Sequence, residues 1–176
     1  MKKSAAWISI VVIVWFASGG SALGGGGSYD IAGLSTNLPQ AEAEQIIAKL
    51  NWSCKEETYD WAIVKVCKTG KKDIEEVKIH YATKFNKHPI FYIWAVGTHP
   101  ISEIVERIGR PPDFHSFIQT SDWELDGGVL LSHFDGEGGG DEKFTAQSMV
   151  QLDIAPPSVR DPYLEQLREW KSKKKD

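Results

Sequence analysis

The sequence predicts an α+β protein, and three observations support this fold class. In each half of the chain, a short amphipathic helical segment is followed by segments that alternate apolar and polar residues, as strands do. A further amphipathic segment lies near the C-terminus. The 176 residues are 41% hydrophobic and 25% charged, a balance typical of globular domains. We predict two tandem helix-plus-antiparallel-strand units (α-β-β-β repeated) that form one sheet with helices on one face, plus a short C-terminal helix.

The N-terminal segment predicts export. Lys2 and Lys3 precede an uninterrupted apolar run, and small residues follow as far as Ala22. This is the layout of a signal peptide over residues 1–22, and an uncleaved membrane anchor is the alternative. Gly-rich residues then predict a flexible linker over 23–35. We expect a periplasmic or secreted protein, or one that this segment anchors to the membrane.

The first unit is predicted over about residues 36–98, within an α+β domain that covers 36–158. A helix begins near Pro39, and strands follow it. In the segment IEEVKIHYATKF, alternation places Val77, Ile79 and Tyr81 on one face of a strand. The segment PIFYIWAVG is apolar on both faces, which is typical of a central strand.

The second unit is predicted over about residues 99–156. The segment HPISEIVERIG forms a helix that Gly109 ends, and three strands follow in DFHSFIQTSDW, GVLLSHF and KFTAQSMVQLDI. An Asp-Trp pair precedes or enters a strand in both halves, which favours an internal duplication. The C-terminal helix and its basic tail are predicted over 159–176.

Both cysteines, Cys54 and Cys67, fall in the first predicted hairpin. Opposite positions of a hairpin bring two Cα atoms to about 5.5 Å, which suits a disulfide. An oxidising compartment and an even cysteine count favour the same bond over two free buried thiols. A metal or redox pair is the chemical alternative, but the spacing is far from C-x-x-C.

One predicted sheet face combines aromatic side chains with Lys and His. We expect Ala62, Val64 and Val66 to pack on the helix, while the opposite face of the sheet serves as a binding surface. The alternative is a set of core tryptophans with solvated lysines. The candidate binding residues are Trp61, Ile63, Lys65, Lys78, His80, Trp94 and Trp123.

Catalytic and cofactor motifs are missing from the sequence. No dinucleotide fingerprint, P-loop, G-x-S-x-G or H-E-x-x-H occurs, so we expect no cofactor and no catalytic residue. Residues His115, Asp122, His133 and Asp135 could assemble a metal site, with His133 and Asp135 as the nearest pair. We favour a surface strand that enters an acidic turn, because two ligands do not define a metal site. The net charge of −4 argues against nucleic acid as a partner.

Four features carry a resemblance to a known group of proteins. They are the helix AEQIIAKL, the hairpin of Cys54 and Cys67, the segment SEIVERIGRPP and the apparent second copy. Over about residues 38–154 the chain resembles the β-lactamase-inhibitory-protein-like group and the related outer-membrane assembly lipoprotein family. The chain lacks the lipidated Cys of the latter. The resemblance implies an exported, non-catalytic protein whose sheet face grips another protein.

We therefore expect a protein-binding module that acts as an inhibitor, an immunity protein or an envelope scaffold. The expected partner is another protein, and membrane contact comes only from an uncleaved leader or from the basic C-terminal tail. The alternatives are a small exported metal-assisted hydrolase and a membrane-anchored envelope structural protein.

Overall fold

The computed structural model describes residues 29–97, 100–115, 120–137 and 143–173. The predicted signal peptide and most of the predicted linker lie outside these ranges. The described helices and strands, in chain order, are α1 (Gln40–Leu50), β1 (Ser53–Thr58), β2 (Ala62–Lys68), β3 (Ile74–Ala82), β4 (Ile90–Gly97), α2 (Ile101–Ile108), β5 (Phe114–His115), β6 (Thr120–Leu125), β7 (Val129–Glu137), β8 (Lys143–Gln151) and α3 (Pro157–Lys173).

The strands form one antiparallel sheet in the order β1-β2-β3-β4-β8-β7-β6-β5. The predicted fold class, α+β with one antiparallel sheet and a C-terminal helix, is confirmed. Each half of the chain runs from a helix into four described strands, and β4 and β8 meet at the centre of the sheet. The first predicted strand of the second half contains the described strand β5 and the start of β6. Duplication of the sequence itself stays a prediction.

One face of the sheet lies beneath α1 and α2. The helix α1 buries Ala43 and Ile47, and α2 buries Ile104, in a shared core with strand residues. Burial of these apolar groups is the main term that holds the layers together. Gly109 ends α2 in the left-handed conformation, as predicted.

The strand β3 has the predicted alternation. Val77, Ile79 and Tyr81 are fully buried beneath the helices, which confirms the face predicted from their spacing. Tyr29 and Leu34 also belong to this core. Packed residues therefore begin upstream of residue 36, where the predicted domain starts.

The helix α3 covers part of the opposite face. Its Tyr163 and Leu167 pack near Leu130, Phe114 and Val150, which alternate with the residues buried beneath α1 and α2. The prediction of helices on one face therefore holds for α1 and α2. The C-terminal helix takes the other face because apolar strand residues there also need cover.

The disulfide between Cys54 and Cys67 is present, as predicted. The two residues are directly opposite partners on β1 and β2, with Cα atoms 4.0 Å apart. Cys67 is fully buried in the core beneath α1. Among the residues that the structure describes, no helix is long and apolar enough to cross a membrane.

The predicted orientation of β2 is wrong. Val64 pairs with His80 and Val66 pairs with Lys78, so these valines face the same side as Lys78 and His80. The alternate β2 residues, including Lys65, face α1 instead. The strand is apolar on both sides, so alternation separated its two faces without showing which one packs beneath the helix.

Candidate functional site

Exposed aromatic side chains lie together at one end of the sheet. Tyr59, Trp61 and Phe85 are 45%, 37% and 42% exposed, and they are the exposed large hydrophobic residues of the described chain. Tyr59 and Trp61 lie in the turn between β1 and β2, and Phe85 lies in the turn between β3 and β4. Successive antiparallel hairpins place these two turns at the same end of the sheet.

Further aromatic side chains lie next to this end, on the sheet face that α3 partly covers. Trp61 stacks on Tyr59 with ring centroids 5.9 Å apart, and it contacts Phe91 at 6.2 Å and His80 at 6.1 Å. His80 contacts Tyr92 edge-on at 5.0 Å. We call Tyr59, Trp61, His80, Phe91 and Tyr92 the aromatic array. Such offset and edge-on contacts between aromatic rings are favourable.

A bulge in β4 makes the array continuous. His80 pairs with Tyr92 and Tyr81 pairs with Ile90, so Phe91 has no partner of its own on β3. The extra residue turns Phe91 to the same face as Tyr92 instead of the face beneath α1. Two adjacent rings of β4 therefore reach His80 together.

Beside the array is a cavity of about 220 Å³, which we call the aromatic groove. It lies between the β3–β4 turn and the start of α3. Its walls combine aromatic, aliphatic and charged side chains with two prolines. The lining residues are Trp61, Ala82, Lys84, Phe85, Asp153, Ile154, Ala155, Pro156, Pro157 and Arg160.

A second cavity, of about 540 Å³, lies between α3 and the strands β3, β4 and β6 to β8. We call it the central cavity. Its described walls include the polar side chains of Thr120, Asp122, Ser132, Ser148 and Gln166 and the rings of His80, Tyr92, Trp94, Phe134 and Tyr163. The two cavities share no lining residue.

Burial keeps the rings of the central cavity neutral. Burial, with a smaller effect from Lys78, lowers the pKa of His80 to about 4. Burial also raises the pKa of Tyr92 and Tyr163, and the charge of Asp122 makes a smaller contribution in the same direction for Tyr163. At neutral pH, therefore, these rings supply no formal charge to the cavity.

The structure brings together part of the predicted binding face. Trp61, Lys78, His80 and Trp94 share the sheet face that α3 partly covers, and the ammonium of Lys78 lies 4.7 Å from the Trp94 ring centroid. A cation at this distance from an indole ring is attracted to it. Trp61 lines the aromatic groove, and His80 and Trp94 line the central cavity.

The other predicted binding residues lie elsewhere. Ile63 packs in the core beneath α1, and Lys65 forms an ion pair of 2.5 Å with Glu44 of that helix. Trp123 is fully buried in the same core, where its Nε1 donates a hydrogen bond to the Arg110 carbonyl oxygen. Ile63, Lys65 and Trp123 therefore serve the core rather than a shared surface.

The metal-site candidates are divided between the two faces. Asp122 pairs with Ser132, so it faces the central cavity, whereas His133 is buried on the face beneath the helices. His115 is exposed, with its Nδ1 3.2 Å from Ser121 Oγ. The side chain of Asp135 lies outside the described part. Within the described residues, no group of three metal-ligating side chains occurs.

Sequence reasoning missed several residues of the exposed aromatic cluster and of the central cavity. Tyr59 and Phe85 could have been noticed as large aromatics in polar turns, where an apolar ring has no core to enter. Ser132 and Ser148 gave no signal, since a serine in a strand is ordinary. Only the pairing of their strands places Ser132 opposite Asp122 and Ser148 opposite Ser132.

No family model matches the chain, and no curated protein or solved structure shows significant similarity to it. Its function is therefore inferred from the chemistry of the two cavities and of the surface around them.

Proposed function

We propose that the protein is an exported, non-catalytic binding module for another protein and that the aromatic groove is its contact surface. The observation that supports this is the clustering of Tyr59, Trp61 and Phe85 at one end of the sheet. Single exposed apolar residues are common on protein surfaces. A cluster of them beside a cavity is typical of an interaction site.

The residue types also suit a protein interface. Trp and Tyr are enriched among the residues that dominate binding energy, and they perform best in pockets that exclude water. Trp61 is supported by Tyr59 on one side and by His80 and Phe91 behind it. A ring that is already held loses little conformational freedom on binding.

The groove suggests the shape of the partner's contact. Its volume of about 220 Å³ suits one or two apolar side chains on a loop rather than a flat surface. Lys84, Asp153 and Arg160 border the apolar walls and supply a polar rim, as in known interfaces. The expected partner is therefore a folded protein that inserts an apolar loop.

Export is supported by the disulfide and by the predicted leader. A structural disulfide is typical of oxidising compartments, so we propose a periplasmic or secreted location. The resemblance to β-lactamase-inhibitory proteins implies the same general role and stays a proposal. The roles of inhibitor, immunity protein and envelope scaffold stay open.

A metal-assisted hydrolase is the main alternative function. The placement of Asp122 and His133 on opposite faces of the sheet argues against it. A membrane-anchored structural protein is the other alternative, and it requires that the leader is not cleaved.

A photo-crosslinking experiment in the protein's own host tests the proposal. Benzoylphenylalanine at position 85 should crosslink one defined protein, whereas the same residue at the exposed position 169 on α3 should not. The change Trp61→Ala should remove the crosslink. The control Trp170→Ala deletes the same side chain about 15 Å along α3 from Arg160 and should leave the crosslink intact. No crosslink at position 85, or an equal crosslink at 169, would contradict the proposal.

A further inference from the structure

The central cavity has the size of a small-molecule site. Ligand pockets usually measure about 300–1,000 Å³ and combine apolar walls with a few convergent polar groups. The central cavity, at about 540 Å³, lies within that range. It shares no described lining residue with the aromatic groove, so a ligand bound here is separate from the proposed protein contact.

Small side chains of β8 lie between two aromatic walls of this cavity. Ala146 and Ser148 line it from β8, which is the strand between β4 and β7. Trp94 of β4 pairs with Ser148 on one side, and Phe134 of β7 pairs with Ala146 on the other. Neighbouring strands lie about 4.8 Å apart, so the two rings belong to strands about 10 Å apart. This separation leaves room for one six-membered ring between Trp94 and Phe134.

Four aromatic residues line the cavity without being fully buried. Tyr163 of α3 completes a wall with Tyr92, Trp94 and Phe134 of the sheet, and each of the four is half-buried. The ammonium of Lys78 lies 4.7 Å from the Trp94 ring centroid, and this attraction helps to hold the indole in place. The faces of aromatic rings carry partial negative charge, so they attract the C–H groups of a ligand that lies against them.

Uncharged polar groups lie at the floor and at the mouth of the cavity. Ser132 and Ser148 form part of the floor and are 9% and 8% exposed. Ser158 and Gln166 are exposed residues of α3 at the mouth. Within the described part of the chain, the Ser132 hydroxyl forms no hydrogen bond. This hydroxyl is therefore available to a ligand that enters the cavity.

The charges of the lining residues indicate the kind of ligand. No Lys or Arg occurs among the described lining residues, and His80 is neutral at physiological pH because burial lowers its pKa to about 4. Thr120 donates a hydrogen bond of 2.8 Å to Oδ2 of Asp122, so these two side chains already have partners. The serine hydroxyls and the glutamine amide can each donate and accept hydrogen bonds. The walls therefore suit an uncharged ligand whose own polar groups do both.

We propose that the central cavity binds one ring of an uncharged sugar, with hydroxyls at Ser132 and Gln166 and C–H faces against Trp94 and Phe134. A pyranose ring has two apolar C–H faces and a rim of hydroxyl groups that both donate and accept hydrogen bonds. The cavity has the matching arrangement, with rings at its sides and neutral polar groups at its floor and mouth. A flat aromatic ligand would satisfy the rings and leave the floor hydroxyl of Ser132 without a partner.

Titrations of the full chain, followed by NMR, test this site. The probes are the methyl β-pyranosides of glucose, galactose, mannose and N-acetylglucosamine, which present their ring hydroxyls in different orientations. We expect saturable binding of at least one probe. Methoxycyclohexane, a similar ring without the hydroxyls, should bind at least tenfold more weakly than the best probe. Saturable binding of none of the four, or equally tight binding of methoxycyclohexane, would overturn the proposal.

Charged analogues and a longer sugar refine the test. The methyl β-glycosides of glucuronic acid and of glucosamine replace one neutral group by an anion and by a cation, and neither should bind more tightly than the best uncharged probe. Tighter binding of either would overturn the proposal. The disaccharide of the best probe distinguishes two sources of the sugar. Tighter binding than that of the monosaccharide would assign the site to a glycan chain, and equal binding would assign it to a free sugar.

Two variants test the role of the floor hydroxyl. Ser132→Ala should weaken binding of the best probe about fivefold, the usual effect of losing one neutral hydrogen bond. Ser121→Ala makes the same change at a serine of similar burial on the opposite face of the sheet and should leave the affinity unchanged. Unchanged affinity in a folded Ser132→Ala variant would overturn the assignment.

A measurement on the unmodified protein covers the case in which Ser132→Ala does not fold. The indole N–H resonance of Trp94 should shift as the best probe is added, since its ring lines the cavity. The resonance of Trp52, which is buried in the core beneath α1, should not move. No shift at Trp94, or an equal shift at Trp52, would overturn the proposal.

Discussion

On the face beneath α1 and α2, one cross-strand row of residues runs through all eight strands and changes character at the centre of the sheet. In the first half of the sheet, β1 to β4, the directly opposed residues are Cys54, Cys67, Val77 and Ala95. In the second half, β8 to β5, the same row continues as Gln147, His133, Ser121 and His115. The first half of the row is apolar and contains the disulfide, whereas the second half is polar.

The two halves therefore depend on different interactions. Beneath α1, buried apolar surface and the disulfide hold the strands. In the second half, buried polar side chains need partners, since an unpaired buried polar group is costly. Tyr29 donates a hydrogen bond of 2.7 Å to Gln147 Oε1. The segment before α1 thus helps to stabilise the distant half of the sheet. Apolar burial and a disulfide stabilise one half of this sheet, and buried hydrogen bonds help to stabilise the other.

Removing the disulfide tests the first half and should have the largest effect. The variant with both Cys54→Ser and Cys67→Ser should lose about 3 kcal/mol of unfolding free energy, because the unfolded chain regains its loop entropy. Urea unfolding of the oxidised protein and of the variant measures this difference. Reduction of the wild type should give the same loss. A variant as stable as the wild type would show that packing alone holds the first half.

Lowering the pH should destabilise the first half of the sheet because His80 becomes protonated more readily in the unfolded chain. Its pKa of about 4 in the folded protein lies below the ordinary 6.5, so the unfolded chain binds the proton more readily. Stability is therefore complete above about pH 6.5 and falls as the pH drops towards 4. The loss from this residue between pH 7.5 and 4.5 should be about 2.5 kcal/mol.

Urea unfolding at both pH values checks this, with His80→Gln expected to be less sensitive to acid than the wild type. His115→Gln, which changes an exposed histidine of the second half, is the control and should follow the wild type. If His80→Gln lost as much stability in acid as the wild type, the acid sensitivity would belong to other groups.

The hydrogen bond between Tyr29 and Gln147 tests the second half. Tyr29→Phe should cost about 1–2 kcal/mol of unfolding free energy because it leaves a buried amide oxygen without its donor. A double-mutant cycle with Gln147→Leu should give a coupling of about 1 kcal/mol. Tyr59→Phe, at an exposed tyrosine, is the matched control and should change little. Additive effects of the two changes would show that this contact does not stabilise the second half.

Loss of an ion pair should give the smallest difference in unfolding free energy between the two halves of the sheet. Lys65 is mostly buried and bonds to Glu44 of α1, so Lys65→Met should cost about 1 kcal/mol. Lys171 of α3 and its partner Glu124 are both largely exposed, so Lys171→Met should change stability by no more than about 0.5 kcal/mol. Thermal unfolding of both variants at low and high salt measures the contrast. A larger loss for Lys171→Met would reverse this ranking of the halves.

Much of the fold could be predicted because its signals are local. Alternation in β3 identified the buried face of Val77, Ile79 and Tyr81, and Gly109 marked the end of α2. The disulfide could be predicted because one hairpin places both cysteines opposite each other. The orientation of β2 could not, since both of its faces are apolar and only the contact with α1 distinguishes them.

The candidate site was only partly predictable. Trp61, Lys78, His80 and Trp94 were assigned to one surface by their types and spacing, and the structure places them on one sheet face. Trp123 was assigned to the same surface, yet it is a core residue. A tryptophan in a strand looks the same in the sequence whether its side of the sheet is covered by a helix or open.

The sequence by itself determined the α+β class, the cysteine pair and the alternation of the strands, because these depend on residues close together in the chain. The tertiary structure alone decided that β4 pairs with β8 and that α3 crosses the opposite face. The first of these choices places Trp94 of β4 opposite Ser148 of β8. The second lays α3 over the strands that carry Ser148, Ser132 and Asp122, which creates the central cavity. Strand pairing over such distances depends on the packing of the whole sheet, which local patterns do not encode.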